Sequence, residues 1–151
     1  MTDVNGLRLA YRGFVSGLAG ADVWAAIAMT LSGLVHGDPI APLRPIATAI
    51  MPVAGSTELA FVLGLGGAQA IGGLVGMLFA YFFARFFTIR ATLGIAGPTA
   101  AVLAWSLLQL GIGGAGAAIP PSLQAIMVAA TVGYGLLLGV NVPVRGDVIR
   151  A

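Results

Sequence analysis

The sequence feature that most constrains the fold is the segment 59–84, which carries no charged side chain over 26 residues. As an α-helix this segment would be about 39 Å long, at 1.5 Å per residue. A hydrocarbon core of about 30 Å needs about 20 apolar residues, so the segment can cross a bilayer with some tilt. It therefore predicts a transmembrane helix.

The composition of the whole chain indicates a membrane protein. Hydrophobic residues make up 59% of the sequence and charged residues 8%, whereas soluble domains carry about 25% charged residues. The 151 residues suffice for one domain, and the absence of cysteine excludes disulfides and thiolate metal sites. We expect a single transmembrane domain, 1–151, whose partners are other integral membrane subunits and lipid, not nucleic acid.

The apolar pattern predicts an all-α integral membrane protein with four transmembrane helices in an antiparallel bundle. The short polar segment 1–13 before the first helix is expected to lie at the membrane interface. The four predicted helices cover residues 14–35, 59–84, 91–110 and 123–140.

A proline-rich loop is predicted between the first two helices. Residues 36–58 contain four prolines, which remove backbone donors and restrict the residues before them. We expect an external loop lying on the membrane surface, with at most a short turn of helix at 46–51; a shallow re-entrant loop is the alternative. Ser56 or Thr57 can cap the second helix.

The arginines indicate the orientation in the membrane. With four spans both termini lie on one side, and the positive-inside rule places the arginine-rich side in the cytoplasm. Arg44 alone falls on the other side. The arginines on the side of the termini are Arg8, Arg12, Arg85, Arg90, Arg145 and Arg150.

One stretch of the first helix resembles known sequences. Residues 17–29, GLAGADVWAAIAM, are similar to the first helix of several small four-helix bacterial membrane proteins. The resemblance implies no activity. The expected location is the bacterial cytoplasmic (inner) membrane, with the N- and C-termini in the cytoplasm.

Small residues recur at a spacing of four, which is typical of helices that approach each other closely in lipid. The helices carry more of these surfaces than four helices need among themselves, which favours contact with neighbouring proteins. The residues predicted to pack helices are Gly64, Ala68, Gly72, Gly76, Ala80, Gly135 and Gly139.

Asp22 is an ionisable residue inside the first predicted helix, and an intramembrane acid marks a functional site by default. It shares a face with several alanines, so we expect it to face the bundle interior. It could belong to an ion path, or it could be structural, with Thr99, Thr131 or a carbonyl near Gly94 as its partner. The structural role is favoured because no intramembrane Lys, Arg or His accompanies it.

Three side chains at the outer ends of the first two helices are weak candidates for a metal site. His36, Asp38 and Glu58 supply one imidazole and two carboxylates, which could bind a divalent ion. They also lie where charged residues normally contact solvent. We therefore predict no metal.

Trp24 is about 15 Å into the first predicted helix, too deep for the interfacial aromatic belt. Core packing is expected, with contact to a lipid, a pigment or a neighbouring protein as the alternative. Gln69, Gln109 and Gln124 are expected to make interhelical or interfacial hydrogen bonds.

Taken as a whole, the sequence favours a non-catalytic accessory subunit of a larger membrane complex, respiratory or photosynthetic. The alternative is a homo-oligomeric channel or small transporter that uses Asp22. An intramembrane enzyme ranks last, because the sequence offers no nucleophile–base pair, metal set or phosphate site. No cofactor of its own is expected; a bound lipid or contact with a neighbour's pigment stays open.

Overall fold

The structure, a computed structural model, describes residues 6–52, 55–83, 86, 90–113 and 119–142. Throughout these residues the regular structure is helical, and four helices are long and apolar enough to cross a membrane. This confirms, for the described residues, the prediction of a helical protein with four helices that could each span a membrane. The elements are α1 (Gly6–His36), α2 (Arg44–Ile50), α3 (Thr57–Leu78) with a π-helical turn (Phe79–Phe83), α4 (Arg90–Gly113) and α5 (Pro121–Asn141).

The helix α1 begins eight residues before the predicted start. Its 31 residues make it about 46 Å long, so it exceeds the thickness of a hydrocarbon core. Residues 6–13 of the segment expected to lie separately at the interface form the first two turns of α1. Leu9 is buried there, whereas Arg8 and Arg12 are exposed. These first two turns are helical because one face of them packs against the rest of the protein.

The segment after α1 differs from the predicted surface loop. It contains the seven-residue helix α2, which packs along α3. A methyl group on Gly64 would lie 2.6 Å from Leu43 Cβ, and one on Gly67 would lie 2.7 Å from Ile46 Cγ2. These glycines are about 10 and 15 Å along α3 from Thr57. The contacts favour the re-entrant alternative, because only a glycine surface on α3 leaves room for a second backbone at that depth.

Glycines bring α1 and α3 into backbone contact. A methyl group on Gly17 would collide with the carbonyl oxygen of Gly72, and one on Gly76 would collide with that of Gly13. The residue numbers rise along one helix as they fall along the other. The small-residue face of α3 is thus occupied within the chain.

A second glycine contact joins α4 to α5. Gly97 lies against Gly135 and Gly139, and a methyl group on Gly135 would collide with Pro98 Cα. Pro98 is inside α4. Gly139 also lies against Leu93. Here too the contacts run in opposite directions along the two helices.

The two helix pairs meet through α1 and α5. Trp24 Nε1 on α1 donates to Thr131 Oγ1 on α5 at 3.2 Å. Tyr134 Oη on α5 reaches across to donate to the carbonyl of Gly72 on α3 at 2.7 Å. In the described residues α3 and α4 share little contact, although they are neighbours in the sequence. Their small-residue faces are taken by α1, α2 and α5, which leaves a cleft between them.

Candidate functional site

Asp22 lies on the surface of the helix bundle. Its side chain is exposed, and Oδ1 accepts a hydrogen bond from Gln69 Nε2 on α3 at 2.8 Å. The prediction of an inward-facing Asp22 is therefore wrong. The interior face of α1 is set by its glycines and by Trp24, and Asp22 falls to the side of that face. Gln69, expected to form an interhelical hydrogen bond, does so.

The threonines proposed as partners of Asp22 have other hydrogen-bond partners. Thr99 is exposed on α4 and donates to the carbonyl of Ile95 at 2.9 Å. Thr131 is buried on α5 and donates to the carbonyl of Met127 at 2.7 Å. These threonines and Asp22 therefore do not form one polar group. The sequence could not distinguish them because depth along a helix does not fix the direction in which a side chain points.

The residues predicted to pack helices are all in close contact with other parts of this chain, with Ala68 beside the cleft between α3 and α4. Ala80 lies against Gly13 of α1. A methyl group on Gly72 would lie 2.7 Å from Ala21 Cβ. The small residues of the predicted helix 59–84 continue at a spacing of four to residue 84, which is outside the described residues. Arg85, Arg145 and Arg150 are also outside the described residues. The surplus of small-residue surfaces inferred from the sequence is thus largely taken up by α1, α2 and the α4–α5 pair.

The weak metal candidates are not brought together. Within the described ranges no group of three or more His, Asp or Glu side chains is placed to hold a metal ion. Asp38 instead pairs with Arg44, at 3.1 Å between Oδ2 and the guanidinium, and accepts from the backbone of Ile40 at 3.0 Å. Ser56 caps α3 by accepting from the backbone of Leu59 at 3.1 Å, as the sequence predicted.

A cleft between α3 and α4 is a concave feature that the sequence did not reveal. Its empty space measures about 530 Å³, including the part open to the surface. Trp24 and Trp105 lie side by side in its wall, with ring centroids 6.0 Å apart. Trp24 is buried, which confirms the expectation of core packing. Ile46 of α2 and Tyr134 of α5 also line the cleft.

Two polar atoms on α4 have no partner among the described residues. They are Trp105 Nε1 and Gln109 Nε2, both without solvent contact. Gln109, expected to form an interhelical or interfacial hydrogen bond, forms none through Nε2 within the described residues. A buried donor without an acceptor costs about 1–3 kcal/mol, so such atoms usually indicate a missing partner. Their spacing, one helical turn, was the sequence signal that could have shown a common face.

Comparison with protein-family models, with curated proteins and with solved structures finds no match to this chain.

Proposed function

We propose that this protein is a non-catalytic subunit of a larger membrane assembly, and that a neighbouring helix covers the Asp22–Gln69 pair. The pair is the observation that carries the proposal. Asp22 is 16 residues from the start of α1, about 24 Å along a helix of about 46 Å. An acid at that depth is costly, by at least about 2.5 kcal/mol at the bilayer centre. Asp22 is exposed and Gln69 is half-buried, so another protein at this surface can supply further partners.

The surface around the pair is shaped for a close helix contact. Ala19 and Ala26, one turn before and one turn after Asp22, are exposed, as are Gly66 and Ala70 on α3. Small residues allow a second helix to approach a polar group closely, and polar groups then hydrogen-bond across the contact. Most of the predicted small-residue surface of α3 packs against other helices of this chain. The exposed patch on α1 and α3 is therefore the surface that we propose contacts a neighbouring helix.

The remaining parts of the proposal come from the sequence. The four spans form an antiparallel bundle in a bacterial inner membrane, with both termini in the cytoplasm and the proline-rich segment at the outer side. The parent complex would be respiratory or photosynthetic. The proposal includes no catalysis by this chain, because the sequence offers no nucleophile–base pair, metal set or phosphate site.

A homo-oligomeric channel or small transporter is the second candidate, and the same pair favours it. In a symmetric assembly Asp22 of one copy could meet Gln69 of another, or Asp22 could face a central pore. The two candidates differ in what they require of the carboxylate. A packing contact needs a hydrogen-bonding side chain, whereas an ion path needs a titratable one.

The test combines crosslinking with substitution. A photo-crosslinking residue at Ala26, next to the pair, should capture a different integral membrane protein in native membranes, whereas one at the exposed Leu103 on α4 should not. Asp22→Asn should preserve the crosslink, because its amide oxygen keeps the hydrogen bond to Gln69 and its amide nitrogen still offers a hydrogen-bonding group to the neighbour. Asp22→Leu should abolish it.

Two results would contradict the subunit proposal. One is a crosslink from Ala26 only to a second copy of this chain. The other is ion conduction by the purified protein in liposomes that is lost in a stably folded Asp22→Asn variant. Either result would favour the channel.

A further inference from the structure

Two arginines form an exposed cationic surface on the first turns of α1. Arg8 and Arg12 are four positions apart, so their side chains are neighbours on one face of the helix. Both are exposed. Within the described residues neither guanidinium has a hydrogen-bond or ion-pair partner. We refer to Arg8 and Arg12 as the arginine pair.

No acidic side chain among the described residues neutralises the arginine pair. Asp22 is ten positions further along α1 than Arg12, which is about 15 Å. Asp38 follows the opposite end of α1. Glu58 is in the first turn of α3, and α3 runs in the opposite direction to α1. The two arginines therefore repel each other unless an anion from outside the chain lies between them.

The location of the arginine pair along α1 corresponds to the headgroup region of a bilayer. The apolar run of α1, residues 14–35, is about 33 Å long, which matches a hydrocarbon core of about 30 Å. Arg12 precedes this run by two positions and Arg8 by six, which is about 3 and 9 Å. The headgroup region adds about 5–7 Å on each side of the core. With the apolar run in the core, both long side chains reach the lipid phosphates.

The side chains around the arginine pair are typical of a membrane interface. Leu7 is 80% exposed and Tyr11 is 68% exposed. Tyr81 of the π-helical turn lies at the same level, because a methyl group on Gly6 would be 3.2 Å from its ring. Tyrosines are enriched at the level of the lipid headgroups. Apolar and cationic side chains thus share one exposed surface, which fits a lipid better than it fits a solute in water.

We propose that the arginine pair binds the phosphate of an anionic phospholipid, whose acyl chains lie against α1 beside Val15. A guanidinium can bind a phosphate through two parallel hydrogen bonds. The lipid is anionic because a zwitterionic headgroup carries its own cation, which competes with the arginines for the phosphate. Val15 is exposed and follows Arg12 by three positions, so it lies on the same side of the helix. This inference is independent of the subunit proposal, which rests on the Asp22–Gln69 pair.

A fluorescent label at position 15 can report which lipid lies beside the arginine pair. The chain contains no cysteine, so Val15→Cys provides a single labelling site. The labelled full chain would be reconstituted in vesicles of phosphatidylcholine with a minor fraction of phosphatidylglycerol. Bromine on the acyl chains of one lipid or the other quenches the label on contact, and the two quenching curves give the relative affinity. Both leaflets have the same composition, so the result does not depend on the orientation of the protein.

The expected preference follows from the number of arginines. An arginine near anionic lipid contributes about fivefold, so the label should report a preference for phosphatidylglycerol of about thirtyfold. Arg8→Gln should reduce the preference by about fivefold, and Arg8→Gln with Arg12→Gln should abolish it. Leu7→Gln, which changes an exposed neutral residue of the same turn, is the matched control and should behave like wild type. A label at Leu103→Cys, on the exposed face of α4, should report no preference.

Four results would overturn the proposal. The label at position 15 reports no preference for phosphatidylglycerol, or the preference persists in the double variant. An equal preference at Leu103→Cys would mean that the anionic lipid is attracted to the whole protein and not to the arginine pair. Loss of the preference when glycerol phosphate is added to the buffer would mean that the pair binds free phosphate. Arg8→Gln alone keeps the test decisive even if the double variant fails to fold.

Discussion

The contact between α1 and α3 makes a quantitative prediction for Gly76→Ala. The added methyl group would lie 2.7 Å from Gly17 Cα and 2.9 Å from Gly17 N, and closer still to the carbonyl oxygen of Gly13. All three neighbours are backbone atoms, which cannot rotate away. Restoring ordinary contact requires the helices to separate by about 1 Å, and a gap of that size forfeits a quarter to a half of each dispersion contact. We expect a loss of about 1–3 kcal/mol.

The matched control for this variant is Gly66→Ala. Gly66 is on the same helix, is exposed, and has no atom within 4 Å of an added methyl group. Both substitutions remove the conformational penalty of glycine in a helix, about 0.5–1 kcal/mol, so the difference between them isolates the helix contact. The free energy of unfolding would be measured by SDS titration in mixed micelles, followed by circular dichroism and tryptophan fluorescence.

A double variant tests whether the collision is shared. A methyl group on Gly17 would meet the carbonyl of Gly72 and lie 3.1 Å from Gly73 Cα. One separation of the helices relieves both collisions, so Gly17→Ala with Gly76→Ala should cost less than the sum of the two single variants. If Gly76→Ala unfolds at the same SDS fraction as Gly66→Ala, the backbone contact between α1 and α3 is not formed and the reasoning is refuted.

Further predictions concern other contacts. Tyr134→Phe removes the hydrogen bond to the carbonyl of Gly72 and should lower the free energy of unfolding by about 1 kcal/mol; no change in an SDS titration would show that the hydroxyl is not engaged there. Ser56→Ala removes the cap of α3 and should cost about 0.5–2 kcal/mol, whereas Ser56→Asp should retain most of it. Reporter fusions after Ala151 should be cytoplasmic, and fusions within residues 111–119 should be external; an external C-terminus would refute the four-span topology with cytoplasmic termini.

The sequence predicted the spans well because hydrophobic length is a local property. The helices α4 and α5 begin and end within three residues of the predicted segments. Ser56 was a predictable cap because its hydroxyl reaches the backbone of Leu59, only three residues away. The start of α1 was misplaced because Arg8 and Arg12 resemble an interfacial segment, while the burial of Leu9 depends on residues distant in the chain.

The candidate site could be predicted only in part. Asp22 and Gln69 were both recognised as polar residues within spans, but not as a pair, since 47 positions separate them and several helix arrangements would place other groups opposite Asp22. The packing of α2 on α3 depends on Gly64 and Gly67, which in the sequence could equally form a surface for any other helix.

By itself, the sequence determined that the chain is helical, that four segments can span a bilayer, and where those segments are capped or interrupted. The tertiary structure decided which small-residue faces meet. In lipid, apolar burial does not favour one helix partner over another, so backbone shape and a few hydrogen bonds select the pairs. That selection joined α1 to α3 and α4 to α5, left Asp22 and Gln69 on the surface, and separated α3 from α4 to form the cleft beside Trp105.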